Sequence, residues 1–432
     1  MSQRYQKSEA LLERALRTIP LGTQTYSKSK THYPFGVSPY FVTRGEGSHV
    51  WDVDGNEYID FVNGLTAITL GYNDPDVTAA VRQQMDAGVI FSLPHPVEMQ
   101  VAEKIVELVP CAEMVRFGKN GSDATMATVR LARAYTGRDR IARCGYHGWH
   151  DWYIGSTPKN LGIPQATSDL THSFVYNDLD SLHQIFQQHP EQIAAVILEP
   201  MNAMAPKAGF LEHLKELTHQ NGAILIFDEM ITGFRFAKGG AQEYFGVTPD
   251  LATFGKGLAN GYPLSAIAGR ADIMTLMEDV FFSFTFGGEA LSLAAALATL
   301  TKIQQHPVID TLKQQGQNIV DGVQTLIEKH QISHFLSIVG HPAWSFLRFK
   351  SCSDYSQFQI KTLFLQEVFQ RGILTLSTHN LCYAHQDSDI QHLLNVYDQV
   401  FPILKTAVDD RQMEQHLHCQ PLEPIFKNIS RS

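Results

Sequence analysis

At 432 residues, 44% hydrophobic and 18% charged, the chain is long enough for two domains and apolar enough to bury a sizeable core. Its formal net charge of -10 at pH 7 comes from acidic groups spread along the chain, which excludes an electrostatic footprint for nucleic acid or an anionic membrane. No stretch reaches the roughly 18 apolar residues of a membrane span, and the five cysteines are odd in number, scattered and without a CxxC pair, so a reduced, cytoplasmic setting is expected.

Three textures follow one another. Residues 1–60 open polar and amphipathic, with Leu11, Leu12, Ala15 and Leu16 on a helix ended by Pro20, and without the apolar run of a signal peptide. They close with the runs PYFVTRGEGSHVWDVDGNEYIDF, whose turns around Gly45 to Gly47 and at Asp54-Gly55 predict a hairpin or meander. Residues 61–310 alternate helical segments with the short apolar runs MVRFG, RIARCG, AAVILEP, AILIFDE and LSAIAG. That pattern predicts parallel strands covered on both faces, an α/β fold. Residues 311–432 mix amphipathic helices (Phe364 to Gln370, Ile390 to Leu404) with a few strands and read as a smaller α+β domain. No internal repeat, low-complexity tract or Pro/Gly/Ser linker separates the three.

Four segments of the middle stretch carry chemistry. In FGKNGSDATMATVRLARAYTG a strand passes through Asn120-Gly121-Ser122 into a helix that Gly137 ends. Amides at such an N-terminus, with a hydroxyl, make an anion site, although Ser122-Asp123 also reads as ordinary capping. CGYHGWHDW follows a strand and offers aromatic rings that can stack on a flat ligand. His147 and His150 stand at i, i+3, but no cysteine or carboxylate completes a ligand set, so no metal is expected; His416, His418 and Cys419 are read the same way. AILIFDEMITGF places Asp228 at a strand's carboxyl end, where a carboxylate can face a cationic ring nitrogen, or simply cap a helix or close a salt bridge. DLATFGKGLANGYPLSAIAG sets Lys256 between Gly255 and Gly257, where a lysine can approach a ligand closely and an amine of depressed pKa is suited to a Schiff base; a surface loop lysine is the plainer reading. The segment is neither a Walker A motif nor GxGxxG.

Taken in order, these segments resemble the class III aminotransferases, which depend on pyridoxal 5'-phosphate (PLP) and have fold type I. The resemblance runs from about Tyr40 to Met274 and is carried by NGSDATMATVRLARAYTGRDRI, YHGWHD, LEPMNAMAPKAGFLEHLKEL, GAILIFDEMITGFR, GGAQEYFGVTPDLATFGKGLANGYPLSAIAGR and, farther on, FTFGGEALSLAAA. The branch it resembles most is glutamate-1-semialdehyde 2,1-aminomutase. The resemblance implies a large domain with a mostly parallel sheet, a smaller α+β domain, and PLP as cofactor. It also implies roles. Lys256 matches the lysine that binds PLP as a Schiff base and then moves a proton, and Asp228 matches the partner of the pyridine nitrogen. Met230 and Tyr146 match the residues on the two ring faces, and Gly121 and Ser122 match the phosphate cup. Glu199 matches the acid of the family's Glu-Pro pair. Asn202 falls where many members carry an amide near the cofactor's 3'-oxygen. Thr285 matches a threonine reaching the neighbouring subunit's phosphate, which implies a homodimer with shared sites.

The chain departs from the aminomutase on the substrate side. It has Asn120-Gly121-Ser122 for Ser-Gly-Thr, GGEALS with Glu289 where Gly-Asn-Pro stands, and Ser377 to Asn380 where a glutamate stands upstream of Ala384-His385. Its start also differs, IPLGTQTYSKSKTHYP. The expectation is therefore a transaminase moving an amino group from a donor such as glutamate to an aldehyde or ketone, with intramolecular aminomutase activity as the alternative. Polar residues at the variable positions (Gln24, Tyr26, Ser27, Ser29, His379 and Asn380) point to a hydroxylated, sugar-like acceptor.

Overall fold

The structure, a computed structural model, describes residues 3–424. Two compact units are present. Among the described residues, the central unit comprises 66–69 and 75–309, and the flanking unit is built from 3–65, 70–74 and 310–424.

In the flanking unit the predicted meander forms: β1 (Val42–Glu46), β2 (His49–Asp52) and β3 (Glu57–Asp60) pair antiparallel. The short strand Ile373–Leu374 then adds to β3 in parallel. A second sheet pairs Leu336–His341, Trp344–Phe349 and Thr378–Asn380. The helices read from sequence as Phe364 to Gln370 and Ile390 to Leu404 extend over Gln357–Gln370 and Asp387–Asp409. Ser356 starts the former by accepting from the amide of Gln359 at 3.3 Å, and the latter begins with the polar residues Asp387 to Asp389, which carry no apolar signal.

The central unit is a seven-stranded sheet with helices on both faces, an α/β fold. Its strands are β4 (Met114–Gly118), β5 (Arg140–Cys144), β6 (Thr171–Ser173), β7 (Ile193–Leu198), β8 (Ile224–Asp228), β9 (Leu251–Phe254) and β10 (Ser265–Gly269), in the spatial order β4-β10-β9-β8-β7-β5-β6. The five strands from β9 to β6 run parallel. Every residue of β7 and β8 is buried, as a strand covered on both faces requires.

Alternation sorts their side chains. Ala195, Ile197, Ile224 and Ile226 pack with Ala124, Ala127 and Leu131 of helix α1 (Gly121–Thr136). Val196, Leu198, Leu225 and Phe227 pack on the opposite face with Leu182 and Phe186 of α2 (Leu179–Gln188) and with Phe210 and Leu214 of α3 (Phe210–Gln220). Two features differ from the sequence reading. The run Leu251–Phe254 is a strand, although at four residues it is too short to stand out. β10 is antiparallel to both neighbours. Only residues 255–264 join it to β9, too few for the crossover helix that a parallel return needs.

Candidate active site

β4, β5, β7, β8 and β9 point the same way, so the segments that leave their carboxyl ends meet along one edge of the sheet. These segments carry Gly121-Ser122, Tyr146-His147, Glu199, Asp228 and Lys256.

Asp228 closes β8, and its side chain is almost fully buried. Oδ1 accepts from the amide of Met230 at 3.2 Å and from Thr253 Oγ1 at 3.3 Å. Oδ2 accepts from His147 Nδ1 at 2.7 Å. The other ring nitrogen of His147, Nε2, lies 3.0 Å from the carbonyl oxygen of Cys144. Both neighbours of this buried ring are acceptors, so His147 satisfies them together only with a proton on each nitrogen. His147, weighed in the sequence only as a metal ligand, is thus Asp228's partner. The two are 81 positions apart in the chain, which no local pattern records.

Lys256 follows β9 in a left-handed conformation, φ 44°, which costs a non-glycine residue on the order of 1 kcal/mol. Its neighbours leave no room for side chains. A Cβ on Gly255 would stand 2.7 Å from Met230 Sδ, and one on Gly257 only 2.2 Å from Thr69 Oγ1. Burial pushes the Lys256 ammonium below its ordinary pKa, and the nearby Arg235 guanidinium adds to that effect; Glu199 and Asp228 oppose it. Burial pushes Glu199 up, as does the charge of Asp228, while His147, the Tyr146 amide at 3.2 Å and Lys256 pull it back. Arg235, 1% exposed, is a second residue that sequence reading passed over.

Helix α1 organises the loop after β5. Asp123, not Ser122, closes its N-terminus, accepting from the amides of Asn120 at 2.7 Å and Lys119 at 3.1 Å. Ser122 Oγ accepts from the amide of Trp149 at 3.1 Å, and Thr125 Oγ1 donates to the His147 carbonyl at 2.9 Å. Gly148, at φ 98°, closes this approach; a Cβ there would fall 2.2 Å from Ser122 Oγ. Tyr146 remains 58% exposed, its ring edge-on to Tyr153. Met230 lies between the cup and the lysine turn, since a Cβ on Gly121 would meet its Sδ at 3.0 Å.

Two expected residues are not tied into this cluster. Asn202 turns back on its own loop, accepting from the amide of Met204 at 3.1 Å, and Thr285 is exposed between Val280 and Ala290. In the flanking unit, three of the polar residues read as facing an acceptor serve the fold instead. Ser29 donates to the Tyr26 carbonyl at 2.8 Å. His379 is bound between Ser345 and Tyr397, and Asn380 donates to the Val62 carbonyl at 2.8 Å.

Residues 32–386 match the family described as Aminotransferase class-III. A 3-aminobutyryl-CoA aminotransferase of Cloacimonas acidaminovorans is 35% identical over 89% of this chain and 94% of its own. A glutamate-1-semialdehyde 2,1-aminomutase of Syntrophobacter fumaroxidans is also 35% identical, over 92% and 98%. Among solved structures, the FumI protein of Sphingopyxis sp. MTA144, in a PLP-bearing form, superposes with a TM-score of 0.87 at 29% identity over 96% of this chain and 99% of that one. An omega-transaminase from Sphaerobacter thermophilus gives 0.83 at 28%, over 92% and 98%. The cluster fits that cofactor: a half-buried lysine of depressed pKa, a buried anchored carboxylate, and a glycine-lined cup at a helix N-terminus. The chain belongs to the class III aminotransferases and is a PLP-dependent enzyme.

Proposed function

We propose that this enzyme moves an amino group between two small molecules, from a donor such as L-glutamate to an aldehyde or ketone, with Lys256 as the catalytic lysine. The observation that carries the reading is the pairing of a depressed lysine on the β9 turn with the anchored Asp228 at the end of β8. When bound, PLP supplies an electron sink that lets the hydrogen beside an amine leave as a proton. Lys256 Nζ would bind the cofactor covalently and then take and return that proton; its lowered pKa keeps more of it in the neutral, accepting form. The Asp228 carboxylate would keep the proton on the ring nitrogen, itself held by His147, Thr253 and the Met230 amide. Met230 and Tyr146 would flank the ring. Gly121, Ser122 and the first turn of α1 would hold the phosphate. Glu199 would place a carboxylate beside the lysine, Asn202 an amide near the cofactor's 3'-oxygen, and Thr285 a hydroxyl on the phosphate of a partner subunit.

Transfer between two molecules, rather than within one, is favoured by the departures from the aminomutase pattern at Glu289 and at Ser377 to Asn380. The aminomutase reading is kept alive by the equal 35% identity to an aminomutase over nearly its whole length. A hydroxylated, sugar-like acceptor is read from the polar character of Gln24, Tyr26 and Ser27. The five cysteines are free thiols, which fits a cytoplasmic location.

The test is a half-reaction. The PLP-loaded enzyme receives L-glutamate alone, and the visible cofactor band is followed together with released 2-oxoglutarate. Loss of the band with one equivalent of 2-oxoglutarate is expected, and Lys256→Ala should abolish it. An unchanged band sinks glutamate as donor, and product formed from glutamate 1-semialdehyde with no second substrate would favour the mutase.

A further inference from the structure

Glu289, one of the departures from the aminomutase pattern, has a definite setting. It caps helix α4 (Ala290–Gln305), Oε1 accepting from the amide of Leu291 at 2.7 Å and Oε2 from Ser292 Oγ at 2.6 Å. Oε2 also accepts from Lys119 Nζ at 2.9 Å. The two side chains are only 13% and 15% exposed, so this is not a loose surface pair. Burial raises the Glu289 carboxyl, but Ser292 and Lys119 outweigh it and hold the group below its ordinary value.

The pair joins two pieces of chain. Lys119 immediately precedes Asn120-Gly121-Ser122, and its amide is fixed on Asp123. Glu289 ends the exposed segment that carries Thr285. The near end of that segment is gripped by the same β4–α1 module: Arg130 Nη1 donates to the Phe281 carbonyl at 2.8 Å and Arg116 Nη2 to the Phe282 carbonyl at 3.2 Å. The far end is held by Lys119, by the cap on α4, and by the amide of Ala290 on the Val89 carbonyl at 2.9 Å.

We propose that Lys119 and Glu289 are positioning residues for cofactor binding, fixing the Thr285 segment to the cup segment so that Thr285 is presented to the partner's phosphate at a set height. This rests on the reading above that Thr285 reaches a phosphate. Backbone anchors at Phe281 and Phe282 locate one end of the segment only; the buried pair sets the end from which Thr285 is four residues away.

The experiment titrates cofactor-free enzyme with PLP, read by quenching of protein fluorescence, and follows the phosphorus resonance of the bound cofactor. Lys119→Met removes the pair and leaves the helix cap. Glu289→Gln weakens the pair and keeps an accepting oxygen for the cap. Each should weaken PLP binding roughly fivefold to tenfold and shift or broaden the resonance. Thr285→Ala should do the same, and Lys119→Met added to it should weaken binding little further. If Thr285→Ala weakens binding while Lys119→Met does not, or if the two losses add in full, the positioning role is overturned and the reading of Thr285 stands. If Thr285→Ala leaves binding and resonance unchanged, the reading of Thr285 fails and the proposal falls with it.

Discussion

Asp228 is held on both oxygens by three donors, and the strongest of them comes from a buried histidine. Asp228→Asn should leave PLP bound and slow proton abstraction by a factor of about a hundred or more, because a neutral ring nitrogen is a poor electron sink. His147→Gln can still donate one hydrogen bond to Asp228 but cannot bridge it to the Cys144 carbonyl through one rigid ring, and it should cost about tenfold in turnover with little change in KM. Single-turnover rates decide this: near-normal chemistry in Asp228→Asn would remove the aspartate from its role, and a His147→Gln loss confined to PLP affinity would make the histidine merely structural. Lys256 gives a prediction in pH. If Lys256 holds PLP as proposed, its neutral amine would be the form that captures the cofactor, so capture by the cofactor-free enzyme should quicken as pH rises and level off above the lysine's own pKa. Burial lowers that pKa, so the midpoint should lie below 10.5. Glu199 raises it, so Glu199→Gln should move the midpoint further down. A midpoint that stays put in Glu199→Gln, followed by stopped-flow capture rates, would take Glu199 out of the lysine's environment.

The strand Thr378–Asn380 puts His379 at the centre of the flanking unit, with Nδ1 2.9 Å from Ser345 Oγ and Nε2 2.9 Å from Tyr397 Oη. Burial lowers its pKa to about 3, and burial lowers that of His385 to about 4, from ordinary values near 6.5. Both rings are neutral in the fold. The unfolded chain takes up their protons below about pH 6.5, so their contribution to stability is complete above that pH and is lost as pH falls toward the folded values. Each can steepen the loss by up to about 1.4 kcal/mol per pH unit. His379→Gln should therefore melt lower at pH 7 but lose less between pH 6.5 and 4.5; parallel wild-type and variant curves over that window would rule His379 out as a source of acid sensitivity. The sequence announced this strand only as a departure from a family pattern, because nothing local reveals that a histidine's partners are Ser345 and Tyr397. The buried strands β7 and β8 were legible, since a strand covered on both faces must be apolar throughout. β9 was not, being four residues long, and the direction of β10 depended on the length of a connection rather than on composition. Within the site, Lys256 and Asp228 stood out as candidates because glycines and strand ends flank them. His147 and Arg235 could not, because their roles exist only once distant segments converge.

A monomer of this chain would leave much apolar surface in water. Leu93 is 79% exposed, Phe281 78%, Trp149 68% and Phe286 57%. The chain running on from Phe286 is tied to the segment Val89 to Leu93 where the amide of Ala290 donates to the Val89 carbonyl. Pro94, Glu98, Phe282 and Phe284 line one cavity beside them. Patches of this kind, with polar residues around them, mark association surfaces. The proposed occupant is a second copy, since a two-fold contact would set the same apolar patch against itself. Thr285 stands in the middle of the exposed segment, so a partner lying on this surface would place that hydroxyl near the partner's site. The prediction is that the enzyme sediments as a homodimer, and that Leu93→Asp with Phe281→Asp converts it to monomer by burying two carboxylates in an apolar contact. On the proposed role of Thr285, the monomer should also bind PLP more weakly, because each cup would then lack the threonine of its neighbour. Sedimentation velocity and PLP titration on the same preparation separate the two claims. A dimer that survives both substitutions would move the interface elsewhere, whereas a monomer with undiminished PLP affinity would leave the interface in place and show that each phosphate site is complete within one chain.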